Sequence, residues 1–137
     1  RPLIEVESIE RCCAAVRADA SLAGAICANR SVDTLKLVED NKIVATPNRE
    51  FYWVAQTPQV FYAKPLMAAY KAALWEGFAG TDDASLVERH GGTVECVECP
   101  RDNIKVTVPE DLAVAAATME QRLVEEGCGR RYGRDSQ

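Results

Sequence analysis

Apolar positions along the chain switch repeatedly between helical and strand spacing. Ile9, Cys12, Cys13 and Val16 fall at i, i+3, i+4 and i+7 and predict a helix over Val6–Ala20, with Glu10, Arg11 and Arg17 mostly off the stripe. Ala23 to Ala28 is an unbroken run of small apolar residues, the pattern of a buried parallel strand. Thr34–Val38 and Lys42–Thr46 are short β-prone runs around Glu39-Asp40-Asn41, which predicts a hairpin without an Asn-Gly turn signal. After a turn at Pro47-Asn48-Arg49-Glu50, Phe51–Gln56 reads as a strand, and Thr57–Phe61 leads into the next helix.

That helix is expected over Lys64–Glu76, with Pro65 in its first turn and Gly77 at its end. Leu66, Ala69, Tyr70, Ala73 and Leu74 mark its inner face. Thr81 is read as the cap of a following helix, because Asp82 and Asp83 then place negative charge in its first turn. Gly91-Gly92 ends it just after His90, which reads as a helix-end residue rather than a catalyst. A strand over 93–98 follows.

Residues 102–112 then compress a short β-type run (Ile104, Val106), one lysine and a helix entrance into a single junction. Thr107-Val108-Pro109-Glu110 has the spacing of a capping box between Thr107 and Glu110. A lysine held at such a junction, here Lys105, stands where anions bind beside α/β strand ends. The plain alternative is a strand-to-helix connection with a solvated lysine. The last helix is expected over Val108–Glu125, with Leu112, Ala115, Ala116, Met119 and Leu123 inward, followed by a flexible tail over 127–137.

Composition narrows the function. The 137 residues suffice for one domain, expected over 1–126, and the net charge of −5 argues against broad nucleic-acid binding. No apolar run approaches the ~18 residues that would span a membrane. Cys96-x-x-Cys99 lies in a strand-like run without a second pair, and His90 is in no ligand spacing, so cysteine serves as a small apolar residue there. Six cysteines without a secretory pattern suit a reducing, cytosol-like compartment. The chain opens Arg1-Pro2-Leu3, and the sheet it can build is thin, so the sequence reads as part of something longer. The β-excursion from Arg30 to Gln56 needs a packing surface: either an arm reaching a second subunit or a hairpin folded on its own domain.

Arg1-Pro2, Asp33-Thr34, Arg49 with Gln56-Thr57-Pro58-Gln59-Val60-Phe61, Thr81-Asp82-Asp83-Ala84-Ser85 and Asp102-Asn103-Ile104-Lys105-Val106-Thr107 occur in one order up to about Glu126. Together they resemble the C-terminal part of the 2-C-methyl-D-erythritol 4-phosphate cytidylyltransferase family. The resemblance implies a three-layer, Rossmann-like α/β nucleotidyltransferase fold, here a partial sheet with a β-arm over about 30–56 that joins a homodimer. It implies magnesium-assisted attack by the phosphate of methylerythritol phosphate on the α-phosphorus of CTP, giving the cytidine diphosphate ester and pyrophosphate.

By position, Lys105 matches the lysine at the reacting phosphates and Thr81 a substrate-contacting threonine. Arg49, Thr34, Arg1 and Thr57 match contacts to methylerythritol phosphate. The family's glycine-rich CTP loop and the main magnesium ligands have no counterpart here. They are expected from an N-terminal half of the same enzyme, without which the chain is expected to be inactive. Such an enzyme is cytoplasmic in bacteria or lies in a plastid-type compartment. Two alternatives stand beside this reading: a cytidylyltransferase for a related polyol phosphate such as ribitol 5-phosphate, and a non-catalytic dimerisation fragment.

Overall fold

The structure, a computed structural model, describes the backbone of residues 1–132 and the side chains of residues 1–125. The chain forms two compact units, one of Glu5–Pro100 and one of Arg1–Ile4 with the chain from Arg101 onward.

In the first unit, helix α1 (Val6–Ala18) leads to strand β1 (Leu22–Arg30), the centre of a three-stranded sheet in the order β4-β1-β5. Strand β5 (Thr93–Glu98) runs parallel to β1, as the unbroken apolar run predicts. Strand β4 (Trp53–Phe61) is antiparallel to it, a direction the local pattern does not reveal. Rather than stopping at Gln56, β4 continues through a cis Thr57–Pro58 bond to Phe61. It does so by bulging. Ile26 pairs with Gln59 and Ala28 with Ala55, so β1 advances two residues while β4 advances four. Gln56, Thr57 and Pro58 fall in this bulge, on an edge strand where proline costs no ladder bond.

Two apolar clusters cover the two faces of the sheet. Cys12 and Val16 of α1 pack with Ala25 and Cys27 of β1, Val97 of β5 and Cys99. On the other face, Ala23 joins Ala69 and Ala73 of α2 (Ala63–Glu76) and Leu86 and Val87 of α3 (Asp83–Arg89). Helices on both faces of a sheet make three layers. The bounds of α2 match expectation because its stop signal is physical: Gly77 takes the left-handed conformation, φ 65°, and its amide returns to Ala73 and Leu74. Its inner face is narrower than expected. Leu66, Ala69 and Ala73 pack inward, but Tyr70 is exposed and Leu74 is 80% exposed, as is Trp75 at 93%. In α1, Cys12 and Val16 are buried while Ile9 lies outside the core.

The expected hairpin forms as β2 (Leu37–Glu39) and β3 (Lys42–Ala45), joined by Asp40 and Asn41 with φ 48° and 62°. Two consecutive positive φ values are those of a type I′ turn, which Asp and Asn adopt at the least cost among residues with side chains. All residues of both strands are exposed. The turn expected at 47–50 includes a 3-10 turn over Arg49–Phe51, where the Asn48 side chain takes the Glu50 amide, so the strand starts at Trp53 rather than at Phe51.

In the second unit, α4 spans Pro109–Tyr132 and so runs past the expected stop at Glu125. Whatever of the expected tail lies beyond residue 132 is outside the described residues. Of the predicted inner face of α4 only Ala115 is buried, and Leu112, Ala116, Met119 and Leu123 are exposed. Ile104–Val106 is not a strand but an irregular connection.

Candidate active site

The residues expected to form a site divide between the two units. Thr34, Arg49, Thr57 and Thr81 belong to Glu5–Pro100, and Arg1 and Lys105 to the other unit.

In the first unit, Thr57 stands exposed in the β4 bulge and Thr81 exposed in the loop before α3. One glutamine that the sequence reading passed over links the two places. Gln59 Nε2 donates to Asp82 Oδ2 at 2.7 Å, and Gln59 Oε1 accepts from the Ala84 amide at 3.2 Å. The only signal for it is its place in Thr57-Pro58-Gln59, beside a threonine already singled out.

Asp82, not Thr81, caps α3. Its carboxylate accepts from the Ser85 amide at 2.9 Å, while the Ser85 hydroxyl lies 3.4 Å from the Asp82 amide, completing a capping box. A cap at Thr81 would put Ala84 at the reciprocating position, where no hydroxyl or carboxyl can return the bond. Partial burial would raise the Asp82 pKa, but bonds from Gln59 and Ser85 outweigh it and hold the carboxyl below its usual range.

This geometry also revises how Thr81 could meet an anion. The Ala84 and Ser85 amides are already taken by Gln59 and Asp82, so the hydroxyl of Thr81 is offered without these two amides of the first turn. The loop stays tight because a Cβ on Gly80 would come within 2.5 Å of Ser85 Oγ and 2.6 Å of Leu86 Cδ2. Thr81 lines a cleft of about 380 Å³ with Tyr70, Phe78, Gly80, Asp82 and Asp83. Tyr70 donates to Asp83 at 2.5 Å, and that bond and the aspartate's charge hold the phenol's proton above its usual range.

At the base of the hairpin, Arg49 donates to the carbonyl oxygen of Val32, close to the exposed Thr34. One edge of the guanidinium is thereby fixed. The forked geometry of arginine leaves further N–H groups for an anion.

In the second unit Lys105 is exposed, and no ion pair among the described residues uses its ammonium. Its backbone is held on both sides. Upstream, Arg1 donates to the carbonyl oxygen of Asn103, a buried residue, and Arg122 donates to Asp102 from Nε at 3.1 Å and from Nη2 at 2.5 Å. Arg122 also donates to the Leu3 carbonyl oxygen at 3.0 Å. Downstream, Asp111 rather than Glu110 closes the helix entrance. One Asp111 oxygen accepts from the amides of Thr107 and Val108 at 2.8 and 3.1 Å and from the Thr107 hydroxyl at 3.1 Å. Those two amides hold its carboxyl below the usual range. Only the carboxylate half of the expected box forms, one residue along, because the helix begins at Pro109 and the cap position falls on Val108, which has no side-chain oxygen to take the Asp111 amide.

Magnesium prefers oxygen ligands in octahedral geometry. The cleft carboxylates are engaged by Gln59, Ser85 and Tyr70, and the one cluster of three potential ligands among the described residues is made of thiols. The described residues do not form a hard-cation site on their own.

The family model for 2-C-methyl-D-erythritol 4-phosphate cytidylyltransferase matches residues 1–121. The chain is similar to proteins of that name from Geobacter metallireducens, 43% identical over 123 residues, and Bacillus licheniformis, 46% identical over 120 residues. These alignments cover 90% and 88% of the chain, which spans about half the length of the curated relatives it matches, 52% and 51%. Among solved structures it resembles 4-diphosphocytidyl-2C-methyl-D-erythritol synthase from Anaerococcus prevotii, with a TM-score of 0.79 and 33% identity over 88% of this chain and 55% of that one. It also resembles the Francisella tularensis cytidylyltransferase, with a TM-score of 0.76 and 34% identity over 85% and 54%. By sequence over most of its length and by the α/β nucleotidyltransferase fold it shares with these structures, the chain belongs to the 2-C-methyl-D-erythritol 4-phosphate cytidylyltransferase family.

Proposed function

We propose that this chain carries the sugar-phosphate side of a site for cytidylyl transfer from CTP to 2-C-methyl-D-erythritol 4-phosphate, releasing pyrophosphate. The observation that carries the reading is Lys105: an exposed ammonium that has no ion pair among the described residues, on a connection braced by Arg1, Arg122 and Asp111. A fixed point charge of this kind offsets negative charge that builds on phosphoryl oxygens as the new P–O bond forms.

Thr81 and Thr57 offer hydroxyls on two segments that Gln59 ties together, so they keep a constant spacing as substrate binds. Arg49 and Thr34, at the base of the hairpin, serve the substrate phosphate. Arg1 acts partly through the junction it braces. The CTP loop and magnesium ligands are assigned to residues outside these 137, and the exposed Leu37, Val38, Ile43 and Val44 suit an arm that packs on a second subunit. The ribitol 5-phosphate alternative is not favoured, since the matching relatives carry the methylerythritol name.

The test is Lys105→Ala in the full-length enzyme that contains this chain. Turnover of CTP with methylerythritol phosphate should fall at least ~100-fold, about 2.7 kcal/mol of transition-state stabilisation, with the fold unchanged by circular dichroism. Turnover within a few-fold of the parent would sink the assignment.

A further inference from the structure

The cluster the proposed reaction does not use is a trio of cysteines in the core of the first unit. Cys12 of α1, Cys27 of β1 and Cys99 just after β5 are buried, and their Sγ atoms all lie within 4.8 Å of one another. Cys12 and Cys27 are 3.7 Å apart and Cys27 and Cys99 2.6 Å. With bonds of about 2.3 Å, as in metal–thiolate centres, three sulfurs around one pyramidal trivalent atom lie about 3.4 Å apart. A small outward rotation of Cys27 and Cys99 reaches that spacing, and three separate elements hold the sulfurs in place.

We propose that Cys12, Cys27 and Cys99 form a site for a trivalent thiophilic metalloid, with arsenous acid as its simplest ligand. The balance of charge selects the ligand. Val16, Ala25 and Val97 surround the thiols, with Ala15 and Val60 packed against them, so the cluster includes no cation to offset a net charge. Three thiolates around a monovalent or divalent ion would leave a buried negative charge; around a trivalent centre they leave none. Burial also raises the pKa of the Cys12 and Cys27 thiols, which favours the protonated form until a ligand displaces the protons.

The step is As(OH)₃ + 3 R–SH → As(SR)₃ + 3 H₂O. Three As–O bonds break, three As–S bonds form, each thiol proton leaves with a hydroxide as water, and arsenic stays trivalent. Arsenous acid is small and uncharged at neutral pH, so it can enter through local opening of the unit. Cys27 lies opposite the β4 bulge, between the residues that pair with Ala55 and Gln59, so occupancy would press on the segment holding Thr57.

The experiment incubates the folded 137-residue chain with sodium arsenite and reads native mass, thiol count and arsenic X-ray absorption. One adduct per chain is expected, heavier by one arsenic less three hydrogens, with three of the six cysteines protected and three sulfurs about 2.3 Å from arsenic. Cys12→Ser, Cys27→Ser or Cys99→Ser should each weaken binding at least ~100-fold, since the third sulfur adds intramolecularly. Cys13→Ser, Cys96→Ser and Cys128→Ser should leave it unchanged. Absence of an adduct, fewer than three sulfurs on wild-type arsenic, or full affinity in Cys27→Ser would overturn the proposal. The wild-type absorption measurement decides even if a core variant does not fold.

Discussion

Replacing Asp82 by alanine tests how the two parts of the cleft are joined. The carboxylate caps α3 through the Ser85 amide and accepts the Gln59 side chain at 2.7 Å. Losing a side-chain cap costs about 1 kcal/mol. Losing a hydrogen bond to a charged acceptor costs about 1.5–3 kcal/mol, with the lower end fitting the partial exposure of Asp82. The two losses share one group, so about 2 kcal/mol is expected for Asp82→Ala in urea unfolding of the chain. Gln59→Leu should cost about 1–2 kcal/mol by leaving Asp82 and the Ala84 amide without that partner. In the double mutant the two losses should fail to add, by about 1 kcal/mol.

The pH dependence has a definite sign. The Asp82 pKa is lowered in the folded chain, so its contribution is complete above the unfolded-state pKa and is lost as pH falls through the folded-state one. The stability gap between wild type and Asp82→Ala should therefore narrow from pH 7 toward about pH 3. Strict additivity in the cycle, or a gap that widens in acid, would refute the link between β4 and α3.

Val87, 1% exposed between α2, α3 and the sheet, should lose about 2 kcal/mol on truncation to alanine, read as a lower urea midpoint with unchanged slope. Arg122→Ala should cost about 1–2 kcal/mol and speed proteolysis near Leu3, because it removes the bonds to Asp102 and to the Leu3 carbonyl oxygen. Asp111→Ala should reduce helicity at the start of α4 by circular dichroism, with the difference from wild type fading as pH falls below the ordinary aspartate range. Ile43→Ser with Val38→Ser should leave the thermal midpoint of the chain nearly unchanged, since both residues are exposed, while lowering the apparent mass of the full-length enzyme in ultracentrifugation. Unchanged mass would remove the arm from the dimer contact.

The legible parts of the fold were those set by local covalent preferences. Pro65 and Gly77 bracket α2, and Asp40-Asn41 supplies the two positive φ values the hairpin needs. The strand direction of β4 was not legible, because antiparallel pairing with β1 is decided by residues far apart in sequence. Helical spacing named an inner face for α4 that only Ala115 buries. A periodic stripe reports which face is apolar, not what covers it.

At the site, the candidate segments were visible in the sequence and their internal wiring was not. Three adjacent residues, Thr81, Asp82 and Asp83, can each cap a helix, and only Ser85 in the reciprocating position selects Asp82. Gln59 and Arg122 act on groups far along the chain, Asp82 and Asp102, and no local rule pairs them.

The β4 bulge also sets which length changes the strand can survive. Because the excess over β1 is an even number of residues, the side chains before and after it keep the faces an unbroken strand would give them. Removing one residue from Gln56-Thr57-Pro58 would turn Trp53–Ala55 over, moving the half-buried Trp53 to the opposite face and away from the Arg30 guanidinium that stacks on it. Removing two would restore an ordinary ladder and keep every face, while deleting the protrusion that offers Thr57. Single-residue deletions here should therefore cost the chain that stacking contact and the facing of Trp53–Ala55, and paired deletions should give a folded chain that lacks one hydroxyl of its proposed substrate site.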